Sequence, residues 1–293
     1  MKILIIGSSV LDHIRSADSF RFQPGGVFYT SAALSNLKND TDEYFLCTGI
    51  EEQVIEIFQP AFEKFSLEYS KRVERIPRVH LTIHAEAERC EKFESINKKI
   101  DIPFLELHSF DAILINMISG FDIELGDLQL IRKSFKGLIY FDVHSLERGV
   151  GDSLVREFRP IPDFDLWTAN IDIIQANENE IKCLSSKTDE TEIAEELIAS
   201  GVKILLVTKG ENGADAYYTE NGLSHIERMP ADKTNVKNKV GCGDVFGAYF
   251  FKTYLESQDI IKSLKTAVAA GGQTTEIDAI DGIFKIIIEN NLK

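Results

Sequence analysis

Thiols and positive charge are both scarce in this chain, and each scarcity excludes a class of function. Four cysteines in 293 residues, Cys47, Cys90, Cys183 and Cys242, lie far apart. No C-x-x-C pair exists, which argues against a zinc site and against a disulfide framework. Reduced thiols of this kind fit a cytoplasmic protein. Lys and Arg number 32 against 47 Asp and Glu, a formal net charge of −15. Such a field repels nucleic-acid phosphates and anionic membranes, so neither is expected as a partner. No run approaches the roughly 20 apolar residues that span a bilayer. The opening apolar run, Met1 to Val10, is too short for the apolar core and cleavage site of a signal peptide, and reads as a first strand. No linker rich in Pro, Gly or Ser divides the chain, and no internal repeat is present. With 44% apolar residues the composition is that of a globular protein.

What is present is an alternation. Short apolar runs at Ile3–Ile6, Tyr44–Thr48, Ala112–Asn116, Leu138–Asp142, Ile171–Ala176 and Lys203–Thr208 read as strands covered on both faces. Between them, Ser31–Leu37, Val54–Phe65, Leu125–Phe135 and Glu192–Ala199 carry apolar residues at helical spacing. The alternation predicts a mostly parallel sheet with helices on both faces, whose ligands bind at the carboxyl ends of the strands. Arg78 to Lys98 departs from it with a two-residue period and is expected to form a small hairpin, either a lid over the site or a ribbon joining two copies. Asn221-Gly222 between Ala214–Tyr218 and Leu223–Glu227 marks a second hairpin. Two helical stretches, Ile260–Thr275 and Ile280–Leu292, close the sequence.

Gly241-Cys242-Gly243-Asp244, followed by an apolar helical run, carries the chemistry. Glycines on either side of a small residue let amide groups converge, and the first turn of a helix adds further amides and the positive end of its dipole. That is a cradle for an anion. A carboxylate beside an anion is repelled by it, so Asp244 makes sense as the base that takes a proton from an attacking hydroxyl. On the bare residues, a Gly-rich turn with Asp at a helix start is an equal explanation.

Three further pieces stand in order before the cradle. Gly25-Gly26 precede a helix rich in small residues, with Asp12 upstream at the end of the opening strand. Asn177-Glu178-Asn179-Glu180 lies at a strand-to-helix junction, where a capping box is the bland explanation. Val207 to Gly213 contains Thr208, Lys209 and Gly210. In this order and spacing the four pieces resemble the ribokinase-like, or PfkB, carbohydrate kinases from Ile3 to about Thr275. The resemblance implies a three-layer α/β/α sandwich with a mostly parallel central sheet. It further implies a single domain over residues 1–293, with a small β lid from about 12–25 and 78–98. The implied activity is ATP- and Mg²⁺-dependent transfer of a phosphoryl group to a hydroxyl of a sugar or sugar derivative.

Carried over residue by residue, the resemblance makes Asp244 the catalytic base and Gly241, Cys242 and Gly243 the anion hole. Asp12, Gly25, Gly26 and Thr30 would hold the acceptor. Asn177, Thr208 and Gly210 would lie along the nucleotide, and Glu180 would organise Mg²⁺ and its waters. Departures accompany the matches. Thr30 stands where Asn is usual, and Phe28 and Tyr29 stand where small residues are, so the pocket is smaller or differently shaped. Asn238 and Val240 replace Asp and Thr before the cradle, which argues against K⁺ activation. After Asp142 this chain has Val143, His144 and Arg148 rather than the usual Pro and Asn. Cys242 replaces alanine, and its thiol is either reactive beside the helix amides or simply a small buried residue. A nucleoside kinase of the same fold and a non-catalytic sugar- or nucleotide-binding homologue are the alternatives. A dinucleotide-dependent oxidoreductase is excluded by the missing G-x-G-x-x-G turn.

Overall fold

The structure is a computed structural model and describes residues 1–15, 20–82, 90–95, 99–150, 153–286 and 288. Its centre is an eight-stranded sheet. β1 (Lys2–Gly7), β4 (Glu43–Cys47), β9 (Ala112–Asn116), β10 (Leu138–Asp142), β13 (Ile173–Asn177) and β14 (Ile204–Thr208) are parallel, and the hairpin β15 (Ala214–Glu220) and β16 (Leu223–Met229) extends one edge antiparallel. The order is β16-β15-β14-β13-β10-β9-β1-β4.

Alternate residues of each parallel strand supply two separate cores. Ile3, Ile5, Leu114 and Leu206 face one, while Leu4, Ile6, Ile113, Ile115, Leu205 and Val207 face the other. This is why the strands read as unbroken apolar runs. Helices α1 (Val27–Leu37), α2 (Ile55–Phe62), α6 (Cys242–Ser257) and α7 (Ile260–Thr275) cover the first face. α3 (Leu125–Ser134), α4 (Phe164–Thr168) and α5 (Glu190–Ala199) cover the second. The three layers follow.

A second sheet of four strands stands beside the first, in the order β3-β2-β7-β8. It comprises β2 (Ser9–Arg15), β3 (Phe20–Gly26), β7 (Arg78–Thr82) and β8 (Cys90–Phe93). Two short ladders, β5 (Gly49–Ile50) with β6 (Lys71–Arg72) and β11 (Arg148–Val150) with β12 (Arg156–Phe158), complete the strands. Val79 lies opposite Phe93 in the expected hairpin. Residues 83–89 and 96–98 of that segment are outside the described set.

Three expectations are revised. Asp12 does not end the opening strand, because β1 stops at Gly7 and the chain crosses at Ser8, whose amide donates to Asp122 Oδ1 at 2.9 Å, into a different sheet. The helix after Gly26 begins four residues earlier than its apolar spacing suggested, since Val27 to Thr30 are buried on every side and show no helical stripe. Ile280–Lys285 forms a 3₁₀ helix in place of a long α-helix, and residues 289–293 are outside the described set. The Asn221-Gly222 turn is formed with both residues at positive φ, 52° and 78°, as a two-residue hairpin requires.

Candidate active site

Four parallel strands end in a polar residue after an apolar run. They read AILIN, LIYFD, IIQAN and ILLVT. The sheet register sets these ends side by side: Gly7 opposite Asn116, Asn116 opposite Asp142, Asp142 opposite Gln175, and Asn177 opposite Thr208. A row of polar groups thus lines the carboxyl edge, where an open α/β sheet receives ligands. Asn116 connects this row to both flanking helices. Its Nδ2 donates to Asp244 Oδ1 at 2.7 Å and to Thr30 Oγ1 at 3.1 Å, and its Oδ1 is buried with no hydrogen-bond partner among the described residues.

The cradle opens α6. Gly241 is the N-cap residue in the left-handed region at φ 83°, and a Cβ there would stand 2.2 Å from the Tyr29 ring. Glycine is therefore required on both counts. The amides of Cys242, Gly243 and Asp244 stand in the first turn, where the helix itself supplies no acceptors. Gln175 Nε2 donates to Gly243 O at 3.1 Å and ties this turn to the sheet. The Cys242 thiol is half-buried and donates to Lys239 O at 3.1 Å. Asn238 Oδ1 accepts the Val240 amide at 3.0 Å, a local turn of the backbone leading into the cradle.

Asp244 is buried at 7% exposure and opens into a cleft of about 380 Å³, solvent at its mouth included. Asp12, Gly26, Tyr29, His144, Arg156 and Gly241 line it too, with Val79, Leu81 and Glu91 of the second sheet forming its other wall. A Cβ on Gly25 would fall 2.2 Å from Asp12 Oδ2, so the bare backbone of residue 25 is what lets that carboxylate lie where it does. Gly26 has φ 62°, and a Cβ there would meet Ser8 O at 2.3 Å. Arg156 and Glu91 form an ion pair at 3.1 Å with both side chains 4% exposed. Arg156 also donates to Ile118 O at 2.7 Å, bonds Ser145 Oγ and stacks over Phe93. It joins the second sheet to the main body across the cleft.

Acidic charge accumulates at the carboxyl edge. Burial pushes the Asp142 carboxyl well above its ordinary range, and the charges of Asp244, Glu180 and Glu147 push it further. Asp142, His144 and Asp244 bring one ligand atom each within 4.8 Å of one another. The two carboxylates crowded in this way suit a hard cation such as Mg²⁺, which relieves their mutual repulsion. Glu180 is engaged differently. Its Oε1 and Oε2 accept from Asn177 Nδ2 at 2.6 Å and from the Asn177 amide at 2.8 Å, while the Glu180 amide donates back to Asn177 Oδ1 at 2.9 Å. The reciprocal bonds of a capping box are thus made, ahead of a three-residue 3₁₀ turn. The buried carboxylate still reaches Asp142 electrostatically.

Thr208 lies beside Asn177 in the register and accepts the Glu178 amide through its carbonyl at 3.1 Å. Gly210 has φ 54° with open space where a Cβ would be, so conformation rather than crowding calls for glycine. Gly213 belongs to the turn, since a Cβ there would lie 2.0 Å from Met229 O. Lys209 pairs with Asp215 and Glu190, each at 2.7 Å. Of the sequence-derived residues, Asp12, Gly26, Gly241 and Asp244 line this cleft, while Gly25 backs Asp12, Thr30 is bonded to Asn116, and Cys242 and Gly243 lie in the first turn of α6. Asn177, Glu180, Thr208 and Gly210 stand further along the same sheet edge. Asn116, Asp142, Gln175, Glu91 and Arg156 were absent from the sequence-derived set. For the first two, a polar residue closing an apolar strand was the available signal.

Comparison with known proteins bears on this arrangement. Residues 151–277 match the family described as pfkB family carbohydrate kinase. A deoxyribokinase of Salmonella typhi is 27% identical over 184 residues, 56% of this chain, and the match spans only 59% of that relative's length. A pyrophosphate-dependent kinase in the ribokinase family, solved with sulfate, superposes with a TM-score of 0.78 at 14% identity over 94% of each chain. A putative ribokinase II from E. coli in complex with ATP and Mg²⁺ superposes at 0.75 with 17% identity over 97% of this chain and 94% of that one. Residues 151–277 thus match the pfkB carbohydrate kinases in sequence, and the chain shares the fold of the ribokinase-family structures over nearly its whole length.

Proposed function

We propose that the protein transfers a terminal phosphoryl group from ATP to a hydroxyl of a neutral sugar or sugar derivative bound in the cleft between the two sheets. The observation that carries this reading is the Asn116 bond to Asp244. It holds a buried carboxylate at the mouth of the α6 amide turn and in the same cleft as Asp12.

Asp244 accepts the proton of the attacking hydroxyl. Asn116 donates to one of its oxygens and so limits the rotation of the carboxylate. An ordinary aspartate is a weak base, but phosphoryl transfer proceeds through a loose transition state in which the proton leaves late. Asp12 accepts hydrogen bonds from further hydroxyls and fixes the acceptor's orientation, with the glycine backbone of residues 25 and 26 against the ring. The amides of residues 241 to 244 and the dipole of α6 stabilise negative charge on the transferring group. Mg²⁺, when bound, would neutralise phosphate charge, and Asp142 and Glu180 are the residues that would hold it or its waters. Asn177, Thr208 and Gly210 flank the nucleotide further along the edge.

Charge favours an uncharged acceptor. Among the described residues, Asp12, Glu91 and Asp244 face the cleft against the guanidinium of Arg156, which is already paired with Glu91. A phosphorylated acceptor would meet net repulsion there. The test is phosphoryl transfer from ATP with Mg²⁺ to a panel of neutral sugars, polyols, nucleosides and sugar phosphates, repeated with pyrophosphate as donor. Turnover is expected with ATP and a neutral sugar, and Asp244→Asn should lower kcat by about 10²- to 10⁴-fold. Turnover that survives the substitution, or silence with every acceptor, overturns the reading.

A further inference from the structure

We propose that the outer face of the second sheet binds one divalent transition-metal ion of the Zn²⁺ class through His13, His80 and Glu94. The three side chains bring one ligand atom each within 4.8 Å of one another. Strand geometry explains why. His13 and His80 are direct partners in the parallel β2–β7 pair, so both imidazoles leave the same face of the sheet. Glu94 continues the β8 ladder beyond its last residue, its amide donating to Arg78 O at 2.9 Å, and so sits two residues along, on the same face, from the Lys92 that faces His80. Its Oε2 stands 3.5 Å from His80 Nε2.

Two imidazole nitrogens and one carboxylate oxygen form an open ligand set in which water completes a tetrahedron. Ligand atoms around such an ion lie about 3.3 Å apart, from metal–ligand distances of about 2.0–2.1 Å. The approach needed from the present separations is small, and half-buried histidines with an exposed glutamate can make it by rotating their side chains. Glu94 Oε1 accepts from Arg75 at 2.8 Å, a contact that orients the carboxylate while its other oxygen faces His80. Phe22 packs edge-on against His13 with ring centroids 4.6 Å apart, and Phe20 packs on Phe22, so the rings form an apolar wall along one side. Imidazole donors favour Zn²⁺, Ni²⁺ or Cu²⁺ over Mg²⁺ and Ca²⁺. The site is thus chemically separate from the carboxylate cluster at the sheet edge.

Its position suggests a structural effect. Residues alternate along a strand, so the faces opposite His13 and His80 carry Asp12, Val79 and Leu81 into the cleft. An ion here ties together from behind the strands that form the cleft wall.

The test is Zn²⁺ binding to the full chain, measured by competition with a chromophoric chelator, alongside thermal unfolding with and without Zn²⁺. One equivalent is expected. Affinity should fall by about tenfold or more in each of His13→Ala, His80→Ala and Glu94→Gln, remain in Asp244→Asn, and be unmoved by Mg²⁺ excess. Zn²⁺ should raise Tm in the parent chain and in Asp244→Asn but not in His80→Ala, whose metal-free Tm checks that it folds. Absence of one-to-one binding, or binding unchanged in His13→Ala and His80→Ala, overturns the proposal.

Discussion

Gly25→Ala separates folding from acceptor recognition, because the added methyl strikes the end of a side chain rather than the backbone. The new Cβ would lie 2.2 Å from Asp12 Oδ2, 2.5 Å from its Cγ and 2.7 Å from Oδ1. Real Cβ contacts begin near 3.0 Å, so the carboxylate must retreat by at least about 0.8 Å. Gly25 has no positive φ, and a short side chain can rotate away at little cost, so Tm should change little. The acceptor site loses its geometry. Hydrogen bonds to a charged group contribute about 1.5–3 kcal/mol, and losing that much from substrate binding raises KM for the acceptor by about 10- to 150-fold. Asp244 and its Asn116 bond are untouched, so kcat should fall far less than kcat/KM. Steady-state kinetics with the acceptor varied at saturating ATP would measure both. The decisive control is a double-mutant cycle. In an Asp12→Ala background, Gly25→Ala should cost almost nothing further, since its effect runs through the missing carboxylate. An unchanged KM in the single variant, or fully additive losses in the double, would refute the reasoning.

The cradle glycines should divide sharply. Gly241→Ala puts a methyl 2.2 Å from the buried Tyr29 ring at a positive φ, and should destabilise by about 2–4 kcal/mol in denaturant unfolding. Gly243→Ala meets only Gln175 Nε2, at 3.6 Å, and should leave stability within about 0.5 kcal/mol. Asn116→Ala removes the group that orients Asp244 and should lower kcat by about 10- to 100-fold with little change in KM for ATP, whereas an equal loss in stability-normalised KM would point to a packing role. Asp142→Asn should stabilise the Mg²⁺-free protein at neutral pH. The folded pKa of Asp142 is raised, so the parent chain loses stability as pH climbs from the unfolded value through the folded one, and the variant does not. The two should converge in acid, and a Tm difference that persists unchanged at low pH would contradict this assignment.

The chain's local pattern sufficed for the elements that frame the site. Strands such as Ala112–Asn116 and Leu138–Asp142, and the helix Ile260–Thr275, are found with the bounds their periodicity predicts. Each is covered by apolar neighbours on the faces its own residues specify, so pattern and structure agree. The Asn-Gly hairpin and the turn ahead of α6 were legible for a different reason. Glycine at positive φ is a backbone requirement that no neighbour can remove.

Pairings across the sheet edge were not legible. Asn116 and Asp244 lie 128 residues apart and meet at 2.7 Å only because β9 ends beside the N-terminus of α6. A strand records which of its faces are buried, but nothing in its residues names the strand beside it or the helix above its end. Asp142 looks like any strand-terminal aspartate until burial and three other acids surround it. Glu91 and Arg156 look like solvent-facing charges in two short strands, yet they close on each other at 4% exposure. The sequence by itself determined the layers and the glycine-rich turn that opens α6. Tertiary structure alone decided which carboxylates share a cleft and what charge that cleft presents, because proximity between crossover-linked strands is set by their order in the sheet, which short-range periodicity does not encode.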